Sequence, residues 1–566
     1  MQDRRFFERL SAAHVMPSGP AAGDWLVTAE RDGLRLLTQE EQEHVILYAS
    51  FQSLLIISTF VPALNLSNPD KDKLYDASFY VDEAWCIQKA WGGAEGHRMY
   101  LEPPFDFPAG HPLNGAEPTV FRRSFDGMSN FDPSIELSQK LVHSLGLHFI
   151  AERSAYCRLN SEGDIEEVIK VFREAGKGDF DRSRTLVLIK ARPLAEFMAV
   201  GGYGLYRKFD VTRFVPGSFS SWEQAERHFD APDLFYNSAL SAGNASYIHG
   251  GQILRPNVTV EELIEEWKRE DDPSARQYET FIIQDWKNNR IVEWSSAPSA
   301  LSNYFMKSDK PYEISPAFFS PDVLTKYKAD PEKYDLAHRS ITCRNAWYLK
   351  TFDINEAGQV HTYIGYLQQL PFKEQQYWKL HNEPPKAPIS KRAFDTDFEG
   401  KWTSEPDPLQ SLKQAVSELD RSPPAWWGVR GPQVRDRAHY PVTTSSKEWA
   451  DELLALDQMI VEGFIATEIR KIAAASGLKF DKSWQSLKLI HELMRAKDSL
   501  TADQFVAPLR ELHHLRSKVP GHHSEERKAL EADAIREHGT LAAHFRALCQ
   551  KCYEGFEEII TTLRGE

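Results

Sequence analysis

Leu509-Arg-Glu-Leu-His-His-Leu-Arg-Ser-Lys-Val-Pro-Gly-His-His523 carries two arginines, one lysine and four histidines in fifteen residues. It reads as the end of a helix that begins near Ala502. Val519 precedes Pro520, and a residue before proline avoids the α region, so the helix is expected to stop near Lys518. His522 and His523 then stand just ahead of the next helix, whose N-terminal dipole disfavours imidazolium and keeps a histidine able to accept a proton. Arg516 and His522 form the pairing with a chemistry in it: a guanidinium holds a phosphate, and an imidazole exchanges a proton near neutral pH. The same residues also make an ordinary helix end, with cations near its last carbonyls.

The pattern is helical on both sides of this stretch. Trp449, Leu453, Leu456, Ile460 and Phe464 form an apolar stripe behind a Ser445 or Ser446 cap, and Gly477 is a C-terminal stop. A helix from Ser483 to Arg495 follows, then the one ending near Lys518, then a long last helix from the Ser524 cap to Leu563. Four helices with short connections make a bundle over 446–566. Asp457 and Glu462 lie beside the stripe of its first helix, either on a solvated face or orienting the Arg516–His522 pair. His513 and His514 are expected to divide, one to the core and one to solvent.

Upstream, 382–445 is rich in proline, with Trp402, Trp426 and Trp427 implying a linker packed on its neighbours. Residues 1–381 mix strand and helix signals, so the fold class is α+β, with hairpins favouring antiparallel sheet. Val45–Tyr48 and Leu54–Val61 are short apolar runs typical of central strands. Asp132-Pro133 is expected to open a helix carrying Ile135, Leu137, Leu141, Val142 and Leu145. Hairpins are expected at Tyr156–Asn160 with Ile165–Phe172, at Phe281–Trp286 with Arg290–Trp294, and at Trp347–Phe352 with Val360–Tyr363. Thr259 and Glu262 have the spacing of a capping box.

A chain of 566 residues exceeds one ordinary core, and 42% hydrophobic content argues for buried globular domains. The balance of 67 basic and 82 acidic residues leaves −15, which disfavours broad, non-specific duplex binding. Five scattered cysteines do not make a disulfide framework. The most apolar run, Leu54–Val61, falls far short of the roughly 20 residues a membrane helix needs. No signal-peptide core follows Met1, so a cytoplasmic protein without membrane attachment is expected.

With Arg516-Ser-Lys-Val-Pro-Gly-His522 at the junction of the third and last helices, the C-terminal region resembles the HEPN superfamily, whose motif is Arg-x(4–6)-His. The resemblance covers the C-terminal bundle alone. Active members are metal-independent endoribonucleases, many of them toxins, antiviral (anti-phage) effectors or abortive-infection proteins, commonly homodimers with a composite site. It implies an RNA substrate, no cofactor and no metal, with His522 as acid or base and Arg516 stabilising the phosphate charge. Arg510, Ser517, Lys518 and His523 are candidate supporting residues; Arg510, six residues or a little under two turns before Arg516, is expected to share its face as a second phosphate contact. Two departures stand out: Ser517 replaces the frequent amide or acid, and Pro520-Gly521 interrupts a helix that is often continuous. The roles of His522 and His523 stay open between them. The 1–381 region would then be a sensor for an unidentified trigger or partner. The competing reading is a non-catalytic sensor or scaffold whose bundle only mediates dimerisation.

Other patterns are weaker. Cys549 and Cys552 have zinc-ligand spacing, but a structural site needs two further ligands, and buried bundle thiols are the favoured reading. Gly201-Gly-Tyr-Gly204 lacks the helix start of a phosphate loop. Glu279, Asp285 and Lys287 have the composition of a nuclease set but alternate along one hairpin arm. His143 and His148 are five apart, too far for one helical face, and Lys386, Lys391 and Arg392 form a basic patch that either touches RNA or stays solvated.

Overall fold

The computed structural model describes residues 2–39, 43–92, 96–125, 128, 131–174, 184–217, 219, 221–222, 226–241, 244–303, 305, 307–337, 339–401, 407–441, 445–519 and 525–565. The chain divides into two compact units, 1–160 with 164–276, and 161–163 with 277–566. The division expected at 381/382 falls inside the second unit.

The first unit is built on an antiparallel sheet, eleven-stranded among the described residues. His44–Phe51 and Leu54–Pro62 sit at its middle, flanked by Arg184–Lys190 and by Tyr203–Phe214. Their apolar runs are continuous because both faces are covered. Leu47, Ile57, Val187 and Ile189 enter one core with Leu74, Leu141, Leu194 and Phe197. Ile46, Ile56, Leu186 and Leu188 enter the opposite core with Phe7, Leu10, Leu36 and Leu37 from two N-terminal helices. The Ala155–Leu159 and Ile165–Glu174 hairpin forms as expected. So does the Thr259 capping box, on the helix Val260–Asp271.

The 132–145 helix does not form as expected. Ser134–Leu137 is a strand paired with Val120–Arg123, and a short helix, Gln139–Ser144, starts only at the Ser138 cap. Alternation of Ile135 and Leu137 outweighs the Asp132-Pro133 signal.

The second unit begins with a smaller antiparallel sheet holding the Thr280–Asp285 and Arg290–Ser295 hairpin, whose turn uses Asn289 at φ 50°. Trp347–Leu349 pairs with Ile341–Cys343 instead of 360–363, which takes only Asp353–Ile354 as its hairpin partner.

The helical region opens near 390, well before 446. Asp407 caps, and Pro408 starts, a helix that we label α1, Pro408–Arg421. Leu409, Leu412, Val416 and Leu419 recur at the 3.6 period and enter the same core as the later helices. Trp426 and Trp427 are buried there too, while Trp402 lies outside the described residues. The expected linker at 382–445 is therefore largely part of the bundle. The core then gathers α2, Ser446–Ile460, α3, Ser499–Lys518, and α4, Leu541–Arg564, with shorter helices at Ala466–Ala475 and Ser486–Lys497. Ser445 caps α2, and the stripe Trp449, Leu453, Leu456, Ile460 is buried, as its spacing requires.

The long last helix is two helices. Glu525–His538 stops at Gly539, φ 80°, and Thr540 caps α4 by accepting from the Ala543 N–H. Gly555 lets α4 approach α3 closely: a Cβ there would stand 2.2 Å from the Phe505 carbonyl oxygen.

Candidate functional site

Val506, Leu509, Leu512, Leu515 and Val519 form the buried stripe of α3, which leaves His513 and Arg516, three residues apart, together on a neighbouring face. That face meets the end of α2. There the Val461 and Glu462 N–H groups both donate to the Asp457 carbonyl, at 2.8 and 3.1 Å, so Asp457 and Glu462 are held by one turn.

Four side chains converge. The Asp457 carboxylate is fully buried, with Oδ1 3.0 Å from His513 Nδ1 and Oδ2 3.5 Å from Arg516 Nε. Arg516 Nη2 donates to Glu462 Oε1 at 2.9 Å. The His513 side chain is half exposed at 50%, whereas Asp457 is at 0%, so the ring is anchored at one nitrogen and open to solvent elsewhere. Burial raises the Asp457 carboxyl above its usual value, against the hydrogen bond from His513 and the charges of His513 and Arg516. Asp457 Oδ2 is buried and accepts no hydrogen bond among the described residues. The set joins an imidazole oriented by a buried carboxylate to a guanidinium on the same helix face, which are the parts needed to move a proton beside a bound phosphate.

Of the residues expected here, Arg516 is in this cluster and α3 ends at Lys518 as the proline requires. His522 and His523, with Pro520, Gly521 and Ser524, lie outside the described residues. Arg510 is not in the cluster. Six residues carry it about 120° round the helix from Arg516, and its charge acts on Asp503. Ser517 turns back to its own helix, donating to the His514 carbonyl at 2.7 Å. Lys518 pairs with Glu526 at 3.1 Å. Neither His513 nor His514 enters the core; both are exposed. Sequence reasoning missed His513 as the partner of Asp457, and its i, i+3 relation to Arg516 was the available signal.

The weaker patterns resolve into structural roles. Cys549 and Cys552 are buried in the helical core, where burial raises both thiols. Gly202 ends a helix in the left-handed conformation, so 201–204 is a helix C-terminus running into a strand. Asp285 is buried, accepting from Asn288 and Arg290 within its own turn, and Lys287 donates to the Lys310 carbonyl. His143 is on a helix and His148 on a strand. In the basic patch, Lys386 pairs with Glu383 and Arg392 with Asp353, while Lys391 is exposed. Among the described residues no group of three His, Cys, Asp or Glu side chains is placed to hold a metal ion, and no helix is long and apolar enough to cross a membrane.

Compared with known proteins, the chain matches no protein-family model, no curated protein and no solved structure.

Proposed function

We propose that the helical region is a HEPN-type, metal-independent endoribonuclease, and that His513, Asp457 and Arg516 belong to its site. The observation that carries this reading is the half-exposed His513 ring held on the buried Asp457 carboxylate with Arg516 three residues along the same helix. The reaction is attack of an RNA 2′-hydroxyl on the adjacent phosphorus. The 2′-oxygen–phosphorus bond forms, the bond to the 5′-oxygen breaks, and one proton leaves the nucleophile while another reaches the leaving group. His513 serves one of these transfers and His522 the other. Arg516 faces the non-bridging oxygens, exchanging Glu462 for the phosphate as RNA binds. The N-terminal unit is the sensor in this reading, and a second copy of the chain completes the site.

The test is cleavage of single-stranded RNA in excess EDTA. Arg516→Ala, His513→Ala and His522→Ala should each lower the rate by about 10²–10⁴-fold, the range for losing a charge stabiliser or a proton-transfer group. Loss of wild-type cleavage on adding EDTA would overturn it.

A second reading is favoured by Arg516 being engaged by both Asp457 and Glu462. In that reading the ion pair ties α3 to the end of α2, and the bundle is a non-catalytic dimerisation scaffold. It predicts that the alanine variants keep biological activity while a disrupted bundle interface does not.

A further inference from the structure

A pocket opens to solvent in the second unit, and none of the residues of the Arg516 cluster lines it. Its walls come from the segment 324–354, from α1, from His439 and Tyr440, and from α4. Leu336, Phe352 and Ile354 are apolar residues of its lining, all from the 324–354 segment. Two cations, Lys413 on α1 and Arg546 on α4, also line it.

The lining carboxylates are already engaged. Asp353 accepts from Ser390 and pairs with Arg392. Asp407 accepts from the Gln410 N–H as the α1 cap and takes the Tyr440 hydroxyl at 2.8 Å. The cations are not so engaged. Among the described residues, the half-buried Lys413 ammonium makes no hydrogen bond or close ion pair, and Asp436, Glu452 and Asp335 act on it only through space. The Arg546 guanidinium lies over the Tyr440 ring at 4.6 Å and likewise makes no hydrogen bond there. Burial, helped by the charges of Lys413 and Lys328, pushes His439 down to about 3, so this ring is neutral at physiological pH. The pocket is thus lined by uncommitted cationic donors together with apolar side chains.

We propose that this cavity binds a small organic anion, a phosphate or carboxylate carried on an apolar or heteroaromatic body. The anion sits between Lys413 and Arg546, and the body lies against Leu336, Phe352 and Ile354. Because α1, α4 and the 324–354 segment all contribute, a bound ligand clamps the helical and sheet parts of this unit together.

The experiment is calorimetric titration of the full chain with adenosine 5′-monophosphate, indole-3-acetate, adenosine and inorganic phosphate. At least one of the two organic anions should bind with Kd below about 1 mM and raise the melting temperature. The one that binds tells phosphate from carboxylate. Lys413→Met and Arg546→Met should each weaken it by about tenfold or more, the scale of one charge-assisted contact. Both variants should melt like wild type without ligand, which separates a lost site from a lost fold. The proposal is overturned if neither anion binds, if both variants bind as wild type does, or if neutral adenosine binds as tightly as its monophosphate. The outcome is independent of RNA cleavage, so it stands or falls apart from the reading of Arg516.

Discussion

Acidification should destabilise the second unit through His361. The ring is 2% exposed, in the strand Val360–Tyr363, and its Nε2 accepts the Ser390 N–H at 3.0 Å. That bond requires an unprotonated Nε2. Burial pushes the ring from 6.5 down to about 4, although the Asp353 charge opposes it. Between these values the unfolded chain binds a proton that the folded chain refuses, so stability is full above about 6.5 and falls as pH drops towards about 4. At about 1.36 kcal/mol per pH unit the whole interval is worth roughly 3 kcal/mol, most of it lost by pH 4.5. His361→Gln places an amide oxygen where Nε2 accepts and removes the titration. Urea unfolding followed by tryptophan fluorescence, from pH 7.5 to 4.5, should show wild type losing ~2–3 kcal/mol more than the variant. Parallel pH curves for the two proteins would refute a neutral, buried imidazole.

Three further substitutions probe the second unit. Asp457→Asn removes a carboxylate whose ionised form burial makes costly, a cost absent at low pH that appears as pH rises through its raised folded value. At pH 7.5 the variant should stay within about 1 kcal/mol of wild type by urea unfolding while RNA cleavage falls, whereas a loss of several kcal/mol would make Asp457 a structural anchor. Lys328→Met strands the Glu448 and Glu452 carboxylates, now 2.5 and 2.6 Å from the ammonium, and should cost about 3–5 kcal/mol by the same measurement. Gly555→Ala forces a Cβ against the Phe505 carbonyl and should lower stability by about 1–3 kcal/mol in thermal or urea melts.

What was legible in the sequence was local. The capping box at Thr259, the Asn289 turn and the α2 stripe each rest on residues within one or two turns of each other. Where local signals competed, the structure followed pairing. Ile135 and Leu137 joined a strand, and 347–349 chose 341–343 as its partner. Proline content hid α1, although Asp407-Pro408 is itself a helix start and the apolar period follows it. The same limit shaped the site. Arg516 was readable as a cation at a helix end, but Asp457 and Glu462, more than fifty residues earlier, reach it only through the packing of α2 on α3.

The central claim is that His513 and Arg516, set by Asp457, act on RNA. Its most direct test is incubation of the full chain with end-labelled single-stranded RNA in excess EDTA, beside His513→Ala and Arg516→Ala proteins of unchanged melting temperature. The account predicts wild-type fragments ending in 2′,3′-cyclic phosphate and at least about a hundredfold loss in each variant. An inert wild type, or undiminished cleavage by either variant, would contradict it.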